Sequence, residues 1–154
     1  MLWRGGEKEM ALSDRPAVIH SAGDGIFVAV TPSGHAQVLE TNSERASAAT
    51  PMELLLIGLG GCTAVDVVSI LKKKRERVTG YRVEVRGDRR EEHPRAFTRM
   101  EVRHVVRGRG LSEAAVARAI ELSETKYCSV AATLRPAVEI VTTYEIVEET
   151  DETV

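Results

Sequence analysis

Apolar and β-branched residues come in short runs near the start of the chain. Two such stretches, 17–30 and 35–40, are divided by the sequences GDG and TPSG. Glycine, proline, aspartate and serine between apolar runs are typical of turns. The pattern predicts three strands joined by tight turns, followed by a polar loop over 41–49.

A long apolar helix is predicted next. In the sequence TPME at 50–53, Thr50 can serve as N-cap, proline takes the first helical position and Glu53 the third, which is a capping box. The following 18 residues, 54–71, are mostly apolar and long enough for a short membrane span. Asp66 near the middle of this run, and the soluble patterning of the rest of the chain, favour a helix buried in protein instead.

The second half of the chain mixes strand and helix patterns. The predicted segments are a strand over 81–87, a charged turn over 88–95, a strand over 97–107, a helix from 111 to about 126, a short helix over 129–135 and a strand over 137–147. The order is βββ-α-ββ-α-β, with strands in hairpins and helices as separate insertions. This order predicts an α+β fold.

Length and charge set the broad class. The 154 residues predict a single domain over 17–147, with an N-terminal extension over 1–16 and a disordered acidic tail over 148–154. A net charge of -2 argues against nucleic acid or an anionic membrane as partner. The first ten residues lack the apolar segment of a secretory signal, so we expect a cytoplasmic protein whose thiols are kept reduced.

The chain has two cysteines, Cys62 and Cys128. They are too few for a disulfide scaffold, and their spacing matches no C-x-x-C motif. Cys62 lies about three turns into the long helix, beyond reach of the helix dipole, and such a cysteine is either a small buried hydrophobe or activated by tertiary neighbours. Cys128 lies at a helix junction with Ser129 able to cap the next segment, so it is either a packed residue or a thiol of lowered pKa.

Metal and acid–base sites are weakly indicated. The four histidines have no ligand spacing, so we predict neither a metal nor a cofactor. Asp66 follows Cys62 by four residues and shares its helix face. As a base for this thiol it is poorly placed, since a nearby anion raises a thiol's pKa.

Two motifs around the cysteines carry a resemblance that extends over roughly 17–146. The matching segments are PMELL at 51–55, GGC at 60–62, HPR at 93–95, YCSV at 127–130 and LR at 134–135. In these segments and in its order of elements the chain resembles the OsmC/Ohr family, the osmotically inducible and organic hydroperoxide resistance proteins.

The resemblance implies a fold and a function. The fold is an intertwined homodimer with two long central helices packed against antiparallel sheets. The function is that of a thiol-dependent peroxidase in the oxidative stress response, in which Cys62 attacks an organic hydroperoxide, Cys128 resolves the sulfenic acid as a disulfide, and a dithiol such as a lipoyl group restores both thiols. Non-catalytic binding of a small molecule by the dimer, and redox sensing, are the alternative functions.

The chain departs from the family pattern at two positions. Hydroperoxide-reducing members keep a glutamate ten residues before the first cysteine, where this chain has Met52; Glu53, one place later, is a weak catalytic candidate. They also keep an arginine in the early strands, and 20–40 contains none. Arg15, Arg45 and Arg95 are the candidate substitutes.

Overall fold

The computed structural model describes residues 15–42 and 44–150. It forms two compact units, one ending at Glu53 and the other beginning at Leu54. The single domain over 17–147 therefore stays a prediction.

The first unit holds the predicted three-stranded meander. Its strands are β1 (Val18–Gly23), β2 (Ile26–Val30) and β3 (Ala36–Glu40). They pair antiparallel in the order β1-β2-β3. The β1–β2 turn needs left-handed backbone at three successive residues, with φ of 87° at Gly23, 49° at Asp24 and 76° at Gly25, which explains its glycines.

A polar cluster of Glu40, Arg45 and Ser47 fastens the loop after β3. Glu40 is only 1% exposed. Its carboxylate accepts from Nε of Arg45, and from both the backbone N–H and the hydroxyl of Ser47 at 2.6 Å each. Arg45 Nη2 also donates to the carbonyl of Asp24 at 2.7 Å. The hydrogen bond from the Ser47 hydroxyl, with Arg45 adding to it, lowers the pKa of the Glu40 carboxyl.

The long helix α1 (Pro51–Lys73) begins at the predicted capping box. The Thr50 backbone N–H donates to Glu53 at 2.6 Å, and the Glu53 N–H donates back to Thr50 Oγ1 at 3.3 Å. Lys72 and Lys73 in the last turn suit the negative end of the helix dipole. Among the described residues, α1 is the one helix that is long enough and apolar enough to cross a membrane, judged by length and composition alone. Of its most apolar 18-residue stretch, 22% is buried.

The second unit contains a mixed sheet. Its strands are β4 (Val78–Arg89), β5 (Phe97–Gly108) and β6 (Glu139–Glu148), in the order β4-β5-β6. The β4–β5 pair is antiparallel, as the hairpin predicts, but β5 and β6 run parallel. The expectation of purely antiparallel sheets is wrong here, because the chain crosses over through helices before it returns beside β5.

Three helical segments connect β5 to β6. Helix α2 (Glu113–Leu122) starts at Ser112, whose hydroxyl accepts from the Ala115 N–H at 3.2 Å. A π-helical turn over Ser123–Tyr127 follows, and then the short helix α3 (Ser129–Leu134). The core between α1, α2 and the sheet consists of Val67, Leu71, Val106, Val116, Ala119 and Ile120. The predicted order of elements is confirmed.

The predicted terminal segments fall largely at the limits of the described chain. The extension over 1–16 has only its last two residues within it, and 151–154 of the acidic tail lie outside it. Glu148, the first residue of the predicted tail, is the last residue of β6. The strand therefore runs one residue further than the β-branched pattern indicates.

Candidate active site

Both cysteines and one carboxylate come together in the second unit. Cys62 and Asp66 lie one turn apart on α1, and Cys128 immediately precedes α3. The two sulfurs and a carboxylate oxygen of Asp66 all lie within 4.8 Å of one another. We call these three residues the thiol cluster. Cys62 and Asp66 are partly exposed, whereas Cys128 is 4% exposed.

The π-helical turn positions Cys128. The Cys128 N–H donates to the carbonyl of Ser123 at 2.9 Å, five residues back, and α3 begins directly afterwards. Cys128 itself is the N-cap of α3, because its sulfur accepts from the Ala131 N–H at 3.4 Å. The expectation that Ser129 caps this segment is wrong. Short π-helical insertions are frequent at functional sites, and this one places the Cys128 thiol beside Cys62.

The electrostatic environment of Cys128 is opposite to the one expected from its place at a helix start. The pKa of its thiol is raised to about 11, mainly by burial and also by the hydrogen bond and charge of Cys62 and the charge of Asp66, against a lowering by the Ala131 N–H. One backbone donor does not outweigh desolvation and two acidic neighbours. Of the two alternatives for Cys128, the lowered pKa is therefore wrong and the packed residue is confirmed, and the thiol stays protonated at neutral pH.

Two buried hydroxyl groups hold the carboxylate of Asp66. Ser123 Oγ donates to Asp66 Oδ2 at 2.9 Å, and Thr63 Oγ1 lies 2.9 Å from Ser123 Oγ. Because the Ser123 proton points to Asp66, Thr63 is the donor to Ser123. Neither residue was predicted from the sequence. For Ser123 the available signal was its helical spacing of three residues from the apolar Ile120, which predicts a buried hydroxyl, and it is 0% exposed.

A hydrogen-bonded pair of the partly buried Tyr81 and the buried His104 lies in the sheet of the same unit. Tyr81 Oη and His104 Nδ1 are 2.6 Å apart, and His104 Nε2 has no hydrogen-bond partner among the described residues. Burial lowers the pKa of His104 to about 4, so the ring is neutral. Burial, with a smaller effect of the Asp66 charge, raises the pKa of Tyr81. The Tyr81 hydroxyl therefore donates to the imidazole.

The other predicted site residues have local roles. Glu53 completes the capping box, and the hydrogen bonds from Thr50 lower the pKa of its carboxyl. Arg45 pairs with Glu40, and Arg95 Nε donates to the carbonyl of Glu91 at 3.1 Å. A catalytic role for Glu53 stays a prediction.

Arg135 is an arginine that the sequence analysis did not consider for the site. It lines a small cavity together with Cys128, Thr63 and Ala131, and its Nη2 lies 3.4 Å from Glu124 Oε1. Its position in the LR pair, seven residues after Cys128, was the available signal.

An apolar groove of about 430 Å³ runs between α1 and β4. Its lining residues are Leu56, Ile57, Gly60, Gly61, Ala64, Tyr81, Arg82, Val83 and Val85. Gly61 immediately precedes Cys62, and a Cβ added there would meet no atom within 4 Å. Cys62 is not among these lining residues, so the groove is an apolar surface on the helix that carries the thiol.

Comparison with known proteins gives consistent matches. The profile of the family described as OsmC-like protein matches residues 43–143. Protein YhfA of Escherichia coli K12 is 48% identical over 121 residues, which cover 79% of this chain and 90% of YhfA. A solved structure of a hypothetical protein from Aquifex aeolicus VF5 is 31% identical, with a TM-score of 0.80, over 92% of this chain and 100% of that one.

A more distant match concerns the fold alone. The solved structure of an organic hydroperoxide resistance protein from Elizabethkingia anophelis is 15% identical, with a TM-score of 0.66, over 90% of this chain and 99% of that one.

Proposed function

Since the chain belongs to the OsmC-like family, we propose that it is a thiol-dependent peroxidase that reduces organic hydroperoxides through Cys62 and Cys128. The observation that carries the proposal is the proximity of the two thiols, whose sulfurs lie within 4.8 Å of each other although 66 residues separate them in sequence. Two free thiols this close need only a small adjustment to form a disulfide.

The reaction proceeds in three balanced steps. The Cys62 thiolate attacks the outer oxygen of the hydroperoxide, the O–O bond breaks, and the alkoxide takes up a proton to leave as alcohol. The Cys128 thiol then displaces water from the Cys62 sulfenic acid and forms the disulfide. An external dithiol reduces the disulfide to two thiols and becomes a cyclic disulfide itself.

The unequal exposure of the thiols supports this division of roles. The partly exposed Cys62 can meet an oxidant from solution, whereas Cys128 is buried and protonated at neutral pH. A protonated, buried thiol is a poor first nucleophile, but it is close enough to react once Cys62 is oxidised. Asp66, held by Ser123, lies beside both thiols, and its charge helps to keep Cys128 protonated.

The apolar groove supports an organic substrate. Its walls are aliphatic apart from Tyr81 and Arg82, and it lies along α1, the helix that carries Cys62. Burying a hydrocarbon group of the size of a benzene ring there contributes about 1.5–3 kcal/mol to binding.

The exposed apolar face of α1 supports a homodimer. Val65 is 71% and Val68 44% exposed, and a Cβ at Gly58 would meet no atom within 4 Å. Small residues beside exposed aliphatic ones let a second helix approach closely. In this proposal α1 packs against a second copy rather than against lipid, in a cytoplasmic protein.

Dimerisation is tested by light scattering. Val65→Lys is expected to shift the protein from dimer to monomer, because it buries a charge in the interface. Val38→Lys, at a 45% exposed valine of the first sheet, is the matched control and should remain dimeric.

The groove also favours non-catalytic binding of an apolar small molecule as a second candidate function. The discriminating experiment measures free thiols in the reduced protein before and after one equivalent of cumene hydroperoxide, and again after dihydrolipoamide. The peroxidase proposal expects rapid loss of both thiols and their recovery with the dithiol. Thiols that stay free would support the binding function, and loss without recovery would support a redox sensor.

A further inference from the structure

We propose that the reduced thiol cluster, Cys62, Asp66 and Cys128, binds a Zn²⁺ ion through three protein ligands and one solvent molecule. This activity goes beyond the proposed peroxidase function and does not depend on it. The ligand set of two sulfurs and one carboxylate oxygen is of the kind that Zn²⁺ accepts, and three protein ligands leave the fourth tetrahedral position open.

The geometry is close to that of a bound site. The three donor atoms already lie within 4.8 Å of one another. Zinc takes sulfur at about 2.3 Å and oxygen at about 2.0–2.2 Å, so tetrahedral donors lie about 3.3–3.8 Å apart. Small rotations of the partly exposed Cys62 and Asp66 side chains close this difference, while Cys128 stays fixed at the N-cap of α3.

The groups behind the carboxylate have the form of an outer shell. Ser123 donates to Asp66 Oδ2 at 2.9 Å, and Thr63 supports Ser123 at the same distance. Such hydrogen bonds orient a ligating carboxylate and typically contribute 10–100-fold to metal affinity. Both hydroxyl residues are buried, with Thr63 4% and Ser123 0% exposed, so their orientation is held by packing.

The charge and softness of the donors select the metal. Two thiolates and a carboxylate carry three negative charges when deprotonated, and a divalent cation offsets two of them. Sulfur ligands favour Zn²⁺ over Mg²⁺ and Ca²⁺, which prefer oxygen. On binding, each thiol exchanges its proton for a sulfur–zinc bond, the two protons go to solvent, and no group is oxidised or reduced.

The experiment titrates the reduced, chelator-treated full-length protein with Co²⁺ and then displaces it with Zn²⁺, without any peroxide. The expected result is one ion per chain, with the visible bands of tetrahedral cobalt and a thiolate-to-cobalt charge-transfer band. Cys62→Ser should remove the charge-transfer intensity of one thiolate. Ser123→Ala should weaken binding about 10–100-fold and keep the spectrum.

Asp66→Asn is expected to weaken binding at least about tenfold, because it removes the anionic oxygen ligand. Asp88→Asn is the matched control: it makes the same chemical change at an exposed position of β4 and should leave the affinity unchanged. An equal affinity of both variants would overturn the ligand assignment.

A measurement on the wild-type chain alone covers the case of variants that do not fold. At a free Zn²⁺ concentration ten times the Kd, labelling of the thiols by a thiol reagent should slow about tenfold. Absence of saturable binding, or labelling at an unchanged rate in excess Zn²⁺, would overturn the proposal. Because no oxidant is used, failure here is distinguishable from failure of the peroxidase cycle.

Discussion

Glu40 in the first unit and Cys128 in the second unit are both ionisable acids buried from solvent, but they have different partners. Glu40 has a guanidinium, a backbone N–H and a hydroxyl as donors, and its pKa is lowered. Cys128 has one backbone donor and two acidic neighbours, and its pKa is raised. The first arrangement fixes a loop, whereas the second leaves its acids available for reaction with an oxidant or a cation.

The largest expected effects are a loss of turnover when the thiol cluster is changed and a loss of thermal stability when the ion pair of Glu40 is changed. Cys62→Ser should lower hydroperoxide turnover on the order of 10³-fold or more and leave the Tm nearly unchanged, because a hydroxyl replaces a thiol of similar size. Arg45→Met should do the opposite, lowering the Tm by several degrees with turnover retained, because it leaves Glu40 buried without its cation. Turnover with dihydrolipoamide and thermal unfolding of both variants provide the check. A variant that loses both turnover and Tm to a similar extent would contradict this difference between the two sites.

His104 is a buried base, and its lowered pKa makes the stability of the fold depend on pH. Its folded-state pKa of about 4 lies below the unfolded value of 6.5, so the unfolded chain binds the proton more tightly. The free energy of unfolding is therefore unaffected by His104 above pH 6.5. As the pH falls from 6.5 through 4, protonation of the unfolded chain lowers this free energy by about 3 kcal/mol in all. Urea unfolding across this pH window measures the loss, and His104→Gln should flatten the slope. An unchanged slope in that variant would show that other groups cause it.

The raised pKa of Cys128 predicts how the rate of disulfide closure depends on pH. Since the pKa of its thiol is about 11, its thiolate fraction, and hence the rate of disulfide closure, should rise about tenfold for each pH unit between about pH 7 and 9. Decay of the sulfenic acid in single turnover measures this rate, and the first oxidation step, followed in Cys128→Ser, is the control. A plateau near neutral pH would mean that Cys128 is activated during the reaction.

The smallest expected effect concerns the apolar groove. Val83→Thr adds a hydroxyl to its wall at nearly constant volume, and we expect kcat/KM for cumene hydroperoxide to fall up to about fivefold, or about 1 kcal/mol, with hydrogen peroxide unaffected. Val38→Thr in the first sheet is the matched control. Equal losses with both peroxides would place the substrate elsewhere.

The features that the sequence predicts well are local. The capping box of α1 depends on Thr50 and Glu53, which are three residues apart, and the turn glycines of the first sheet depend on their own backbone angles. The pairing of strands that lie far apart in the sequence has no such local signature. The parallel alignment of β5 and β6 depends on the crossover, and the sequence pattern is the same for either strand direction.

The site was predicted in its residues but not in its environment. The family resemblance pointed to Cys62 and Cys128, and the structure brings them together. The pKa of Cys128 depends on burial and on Asp66, which only the tertiary fold determines. Likewise, Ser123 meets Thr63 across 60 residues of sequence, so its support of Asp66 has no local signature.

The most direct test of the thiol pair traps the first intermediate. Cys128→Ser, treated with one equivalent of cumene hydroperoxide in the presence of dimedone, is examined by peptide mass spectrometry. We expect a dimedone adduct on Cys62, formed as fast as the hydroperoxide is consumed, because no second thiol can resolve the sulfenic acid. An unmodified Cys62 with the hydroperoxide intact would contradict a peroxidatic role for this thiol.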